Sequence, residues 1–279
     1  VLLAAPACAQ SVDKPDALPD PRQRRADSAI TRPETPPEAS ADTSVSVVTT
    51  GLRVGETAVE VRVTERPCVR ACWSALVVHD DEDTAVEAAL AVVRRDGGRL
   101  VELRHAGTRN LTFQLGGEAF TVDPNRIFTD AGRARTLAAL SRDTPAARAA
   151  GAAFADALLA VYGEPSVVVA LHNNTEANYS AASYGPGGAD AGEAADVALV
   201  PEADPDDFVF VTTRPLFDAV AASGANAVLQ DNAAATDDGS LSVWAAQNGR
   251  PYVNVEAQHG HLAEQVRLVG ALRGWVAEK

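Results

Sequence analysis

Residues 74–89 read SALVVHDDEDTAVEAA, and the fold is decided by where that stretch changes character. The apolar run Ala75–Val78 reads as a buried strand. It ends on His79. Acidic residues follow, and a helical pattern opens at about Asp83–Thr84. His79 and Glu82 therefore fall in the turn at the carboxyl end of a strand, where α/β sheets place their sites. A His and a carboxylate three residues apart in such a turn can converge on one cation. Imidazole nitrogen and carboxylate oxygen both suit zinc, which is catalytic when three protein ligands leave one position open. Acidic side chains at a helix start also cap free N–H groups and complement the dipole. That accounts for Asp81, Asp83 and Glu82 but leaves His79 without a role.

Upstream, residues 44–50 (SVSVVTT) and 57–64 (TAVEVRVT) are rich in β-branched residues, with Gly51 and Gly55 between them. They predict an antiparallel hairpin. Downstream, helical spacing over 83–95 stops at Gly97-Gly98, and strands are expected at 99–105, 111–115 and 119–122. Residues 132–161 predict one or two helices divided near Asp143-Thr144-Pro145, with Thr144 as cap and Pro145 in the first turn. SVVVAL at 166–171 is an apolar strand running into His172. A long polar loop is expected at 173–196, followed by strand 207–212, helix 214–223, and strands 225–230 and 240–245. Strand 251–256 delivers Glu256, and an amphipathic helix begins near Gly260. The His259-Gly260-His261 segment reads as a strand-to-helix turn. Alternating strands and helices give an α/β layered sheet.

Composition sets the outer bounds. The 279 residues are 46% hydrophobic, enough for one large domain with a full core. The net charge of −14, with 38 acidic residues against 24 basic ones, leaves no basic patch to neutralise phosphates and excludes nucleic acid as a partner. No apolar run approaches the roughly 20 residues of a transmembrane segment. VLLAAPACAQS at the amino end reads as the remnant of a secretory signal peptide over residues 1–9, with small residues Ala7-Cys8-Ala9 at the cleavage point. Cys8 is alternatively a lipid anchor. Residues 10–42 carry six prolines among polar residues and are expected to be a disordered linker. The domain is placed at 43–279. In an exported chain, periplasmic or extracellular, Cys68 and Cys72 can pair as a disulfide.

His172 closes its apolar run as His79 closes the other, so His79, Glu82 and His172 supply two imidazoles and a carboxylate from two strand ends. Glu256 ends a third such strand. A buried carboxylate beside a metal centre can take a proton from water and pass it to a leaving group.

In order, His79-x-x-Glu82, Arg109, Asp123-Pro124-Asn125-Arg126-Ile127-Phe128, His172 and Glu256 resemble the zinc metallocarboxypeptidase superfamily. That group spans carboxypeptidase A-like peptidases and the succinylglutamate desuccinylase/aspartoacylase amidohydrolases. The resemblance covers about residues 73–275, and DPNRIF is its most specific element. It implies a mixed, mostly parallel sheet flanked by helices, with Zn2+ held by His79, Glu82 and His172. It also implies that Arg109 stabilises an oxyanion, that Asn125 and Arg126 hold a substrate carboxylate, and that Glu256 acts as base and then acid. The activity implied is hydrolysis of an amide bond next to a carboxylate, in a peptide or cell-wall peptide. An N-acyl amino acid deacylase and a non-catalytic ligand-binding domain are the alternatives. Tyr179, Tyr184 and Tyr252 are candidates for a phenol in the pocket. The neighbours Asp80, Asp81 and Asp83 are expected to make the entrance electronegative.

Overall fold

Two antiparallel strands open the described chain, β1 (Ser46–Val54) and β2 (Thr57–Arg66), in register from Ser46↔Glu65 to Val54↔Thr57. The computed structural model describes residues 44–68, 72–176 and 178–276. The expected signal remnant, Cys8 and the proline-rich linker lie outside the described residues. β3 (Ser74–Val77) leads through the acidic turn into α1 (Asp83–Asp96), and β4 (Gly98–Arg104) follows. β5 (Leu111–Leu115) and β6 (Glu118–Val122) form a separate two-stranded ribbon. Next come α2 (Asp130–Leu140), α3 (Pro145–Tyr162) and β7 (Val168–Asn174). The remainder is β8 (Ala194–Ala198), β9 (Phe208–Val211), α4 (Arg214–Ala222), β10 (Asn226–Gln230), α5 (Leu241–Gln247), β11 (Tyr252–Gln258) and α6 (Leu262–Val276).

Nine strands make one sheet in the order β1-β2-β4-β3-β7-β11-β9-β10-β8. β4, β3, β7 and β11 run parallel at its centre, and β1 and β8 share their direction, while β2, β9 and β10 oppose them. The sheet is mixed, mostly parallel and flanked by helices. Side chains alternate across it. Leu76, Ala170, Phe208 and Phe210 pack with α2, α3, α5 and the ribbon on one face. Ala75, Val169, Leu171 and Val255 pack with α1, α4 and α6 on the other.

The helices follow from spacing and caps. In α1 the buried Ala85, Ala88, Ala89, Val92 and Val93 recur at helical intervals, with Arg94 and Arg95 in the last turn where the dipole favours cations. Thr144 accepts from the Ala147 N–H, and Pro145 needs no donor at its position, as expected. At the far end of α3 the Tyr162 hydroxyl accepts from the Val169 N–H at 2.8 Å and donates to the Ser74 carbonyl at 2.9 Å, tying β7 to β3.

Three sequence expectations are corrected. Residues 240–245 form α5, not a strand: Ser240 accepts from the Val243 N–H, and Asn125 Oδ1 takes the Leu241 N–H at 3.2 Å, so the free donors of a helix start are satisfied. His172 and Glu256 do not close their strands. β7 and β11 each run two residues further, through Asn173-Asn174 and Ala257-Gln258, paired in register. The 173–196 segment is not a free loop, because it ends in β8 on the sheet edge and buries Ala181 and Tyr184. The Cys68–Cys72 pairing that the sequence allows is present as a disulfide, with Cα atoms 5.5 Å apart.

Candidate metal centre and active-site cavity

The turn after β3 does not use its acids as helix caps. Glu82 occupies the capping position of α1 but makes no side-chain cap bond. The Ala85 N–H is instead taken by Asn173 Oδ1, 2.9 Å away on β7. Glu82 is thereby released to turn inward, and the helix start is fastened to the strand that carries His172. Asn173 Nδ2 donates to the Ala257 carbonyl and to Gln265 Oε1, and Gln265 Nε2 donates back to the His172 carbonyl at 2.9 Å. These buried amides hold β7, β11 and α6 at fixed register around the site.

Glu82 sits between the two imidazoles. Its Oε1 is 2.7 Å from His79 Nδ1 and its Oε2 is 3.0 Å from His172 Nδ1. The ring centroids are 5.0 Å apart. One ligand atom from each of the three residues lies within 4.8 Å of the other two, and all three residues are buried. His79 Nε2 lies 2.8 Å from Asp123 Oδ1, which fixes that ring with Nδ1 facing the cluster. His172 Nε2 lies 3.3 Å from Asn125 Nδ2. Burial lowers the His79 pKa, but the Glu82 charge and the bonds to Asp123 and Glu82 outweigh it and raise the ring to about 9. Burial also opposes ionisation of Glu82, yet the two histidines hold it well below the usual carboxylate range. Burial keeps His172 below its ordinary value, as a neutral ligand requires. Two imidazoles and a carboxylate, converging and buried with a fixed outer partner, fit a borderline cation such as Zn2+.

Six of the seven predicted site residues line one cavity of about 620 Å³: Glu82, Arg109, Asn125, Arg126, His172 and Glu256. His79 is fully buried behind Glu82. Arg109 Nη1 is 3.3 Å from Glu82 Oε1, and its Nη2 is 3.4 Å from Asp123 Oδ2. Its loop is held by Asp80, whose Oδ2 accepts from the His105 and Gly107 N–H groups at 2.6 and 2.7 Å. Asp80 is therefore a buried anchor rather than part of an acidic entrance. Glu256 faces His172 across the β7–β11 pairing and accepts from Asn254 Nδ2 at 2.9 Å. Burial and the neighbouring Glu82 charge push Glu256 up to about 8. Arg126 Nε lies 3.4 Å from Asp238 Oδ2.

Asp123, Asn254 and Asp238 complete the arrangement and were not singled out from the sequence. Asp123 stood inside the DPNRIF signal. Asn254 shares its strand face with Glu256 at period two. Asp238 had no local signal. Of the tyrosines, Tyr179 and Tyr184 join through their hydroxyls at 2.6 Å, and burial raises both and Tyr252 above the ordinary phenol value. They line the wall as neutral donors. The 259–261 turn places His261 Nδ1 2.9 Å from Asp207 Oδ2, which with Asp204 forms a second, more exposed acid–His group.

No protein-family model matches the chain, and no curated protein matches it. Several solved structures are similar to it. An aspartoacylase family protein from Mesorhizobium loti has 17% identity over 84% of this chain and 68% of its own, with a TM-score of 0.43. A succinylglutamate desuccinylase/aspartoacylase from Rhodobacter sphaeroides has 16% identity over 84% and 66%, with a TM-score of 0.42. The murein-tripeptide amidase MpaA from Escherichia coli O157 has 15% identity over 78% and 88%, with a TM-score of 0.39. Residue roles follow from the side-chain geometry, not from likeness at this level.

Proposed function

We propose that the chain is an exported zinc-dependent hydrolase that cleaves an amide bond next to a carboxylate, in a peptide or cell-wall peptide. The observation that carries this reading is the buried His79–Glu82–His172 convergence at the wall of a cavity that also holds Glu256 and two arginines. When bound, the cation supplies Lewis-acid activation of water and polarisation of the scissile carbonyl. Glu256 accepts the proton of the attacking water and returns it to the leaving nitrogen. Arg109 offers N–H donors where negative charge develops on the carbonyl oxygen. Arg126 and Asn125 hold the substrate's carboxylate, Arg126 by a forked pair of bonds once it exchanges Asp238 for substrate. Export is supported by the paired Cys68 and Cys72, since disulfides persist in oxidising compartments.

The test is zinc content and turnover measured together on wild type, His172→Ala and Glu256→Gln. Wild type carries one zinc per chain, and His172→Ala loses it. Glu256→Gln keeps the metal while turnover of acyl-dipeptides drops about 10³-fold. No zinc in wild type after reconstitution sinks the metal reading. Undiminished turnover in Glu256→Gln sinks the base assignment. Zinc without hydrolysis of acyl-dipeptides, acetyl-amino acids or succinyl-amino acids leaves a binding domain on this fold.

A further inference from the structure

The two edges of the sheet are built differently. β8 is five residues long, carries Asp196 bound to Arg214 Nη1 at 2.7 Å, and has a register shift against β10 at Leu229/Gln230. Short length, a charge and a bulge each blunt an edge against pairing with another chain. β1 has none of the three devices in its outer stretch. It is nine residues long and in unbroken register with β2, and its one charge is Arg53 beside the turn. Among the described residues it pairs with β2 alone. The turn at Gly55-Glu56 closes on the Val54↔Thr57 pair, whose backbone groups bond across the hairpin. Counting by twos from there, Val47, Thr49, Gly51 and Arg53 turn their N–H and carbonyl groups outward. The even positions continue a core layer: Val48, Thr50 and Leu52 lie beside the buried Val63, Val61 and Val59. That layer is left uncovered at the edge. Val47 and Val48 are each 59% exposed and Val45 is 39% exposed, three of the five exposed large apolar side chains among the described residues.

We propose that β1 is the contact of a symmetric dimer, in which it pairs antiparallel with β1 of a second copy about a two-fold axis at Thr50. The occupant is a second copy because the strand complements itself in that register. Val48 falls opposite Leu52 of the second copy and Leu52 opposite Val48, so the exposed end of each apolar layer meets the partly covered end of the other. Arg53 falls opposite Val47, so no like charges stand face to face. The outward groups of Val47, Thr49, Gly51 and Arg53 meet their counterparts and form about eight backbone hydrogen bonds. The contact is isologous and closes at two copies, because the blunted β8 edge offers no further site. No residue lining the cavity at the metal centre comes from β1 or β2, so both cavities of the dimer stay open. The dimer does not depend on the hydrolase reading.

The experiment is sedimentation velocity of the full chain across the micromolar range, joined to a cross-link that reads the register. Wild type is expected to show a concentration-dependent monomer–dimer equilibrium. Thr49→Pro removes one outward N–H, and an edge strand tolerates proline where that N–H faces solvent, so the hairpin with β2 is kept. One bond is lost at each of two symmetric positions, and the dissociation constant is expected to rise about tenfold or more, with an unchanged circular dichroism spectrum. Val48→Lys leaves the backbone alone and is expected to weaken the dimer as well, which covers the case in which the proline variant does not fold. Thr50 stands opposite itself at a pair without backbone bonds. Thr50→Cys in a Cys8→Ser chain is therefore expected to form a disulfide-linked dimer on mild oxidation, while Val47→Cys in the same chain stays unlinked. Cys68 and Cys72 are already paired with each other and do not compete. A wild type that sediments as a monomer at every concentration overturns the inference. So does a dimer that Val48→Lys leaves intact, or one that Val47→Cys links as readily as Thr50→Cys.

Discussion

Asn173 makes three hydrogen bonds that only a side-chain amide makes at once, accepting from Ala85 and donating to Ala257 and Gln265. Asn173→Asp keeps the size and the acceptor but turns both donated bonds into oxygen–oxygen contacts in a buried site. The expected loss is about 3 kcal/mol of stability, read as a lower denaturant midpoint at unchanged slope. A midpoint within error of wild type would mean that the amide network does not hold the site. A second prediction concerns Glu256. In the metal-free protein its carboxyl titrates near 8 instead of 4.5, because burial and the Glu82 charge favour the neutral form. The folded value lies above the unfolded one, so this group makes folding less favourable as pH climbs through that window. Divalent cation loading brings the value down, since nearby positive charge favours the carboxylate. The carboxyl carbon shift in labelled protein follows both, and titration near 4.5 without metal contradicts burial as the cause. The sequence showed His79, His172 and Glu256 because each follows an apolar run, and Glu82 because it stands three residues from His79 in the turn. It did not show Asn173 as a brace, because its amide partner Gln265 lies on α6, far along the chain.

At the scale of elements, the DPNRIF turn is set by two glycines in contact. A Cβ on Gly132 at the start of α2 would lie 2.1 Å from Gly239 Cα, and one on Gly239 would lie 2.4 Å from the Arg126 carbonyl oxygen. Gly239 also has φ +84, which disfavours any side chain. Gly239→Ala is therefore expected to cost about 2 kcal/mol and to shift the Arg126–Asp238 pair, raising KM for carboxylate-bearing substrates more than it lowers kcat. Gly51→Ala, with open space around its Cβ, is the control that leaves both unchanged. An unaltered KM in Gly239→Ala would separate this turn from substrate binding. Elements with their own signals were legible: the hairpin, α1 with its apolar stripe, and α3 with Thr144 and Pro145. α5 was not. SLSVWA alternates like a strand, and the donor-satisfying partner that makes it a helix comes from Asn125 on another turn. The strand ends were read short because Asn173, Asn174 and Gln258 are polar. Both asparagines are nevertheless buried, and each donates its amide to a backbone carbonyl, Asn173 to Ala257 and Asn174 to Asp206.

For the whole molecule, no described helix is long and apolar enough to cross a membrane. Alternation of strands and helices announced an α/β sheet, but not which strands are neighbours. β11 is the last strand in sequence, and it lies between β7 and β9 at the middle of the sheet. A chain ending at Gly249 would leave the facing edges of β7 and β9 unpaired, and such edges invite association with other chains. That truncation is expected to be recovered as aggregates and to bind no zinc. A soluble, zinc-binding product would show that β7 and the turn after β3 form the centre alone. The order of strands also gives the protein a timetable. Glu256 meets His172 only when β11 enters between β7 and β9, so the two side chains face each other only once the centre of the sheet is complete. The wall that carries both side chains is thus the product of one closing step rather than of gradual accretion.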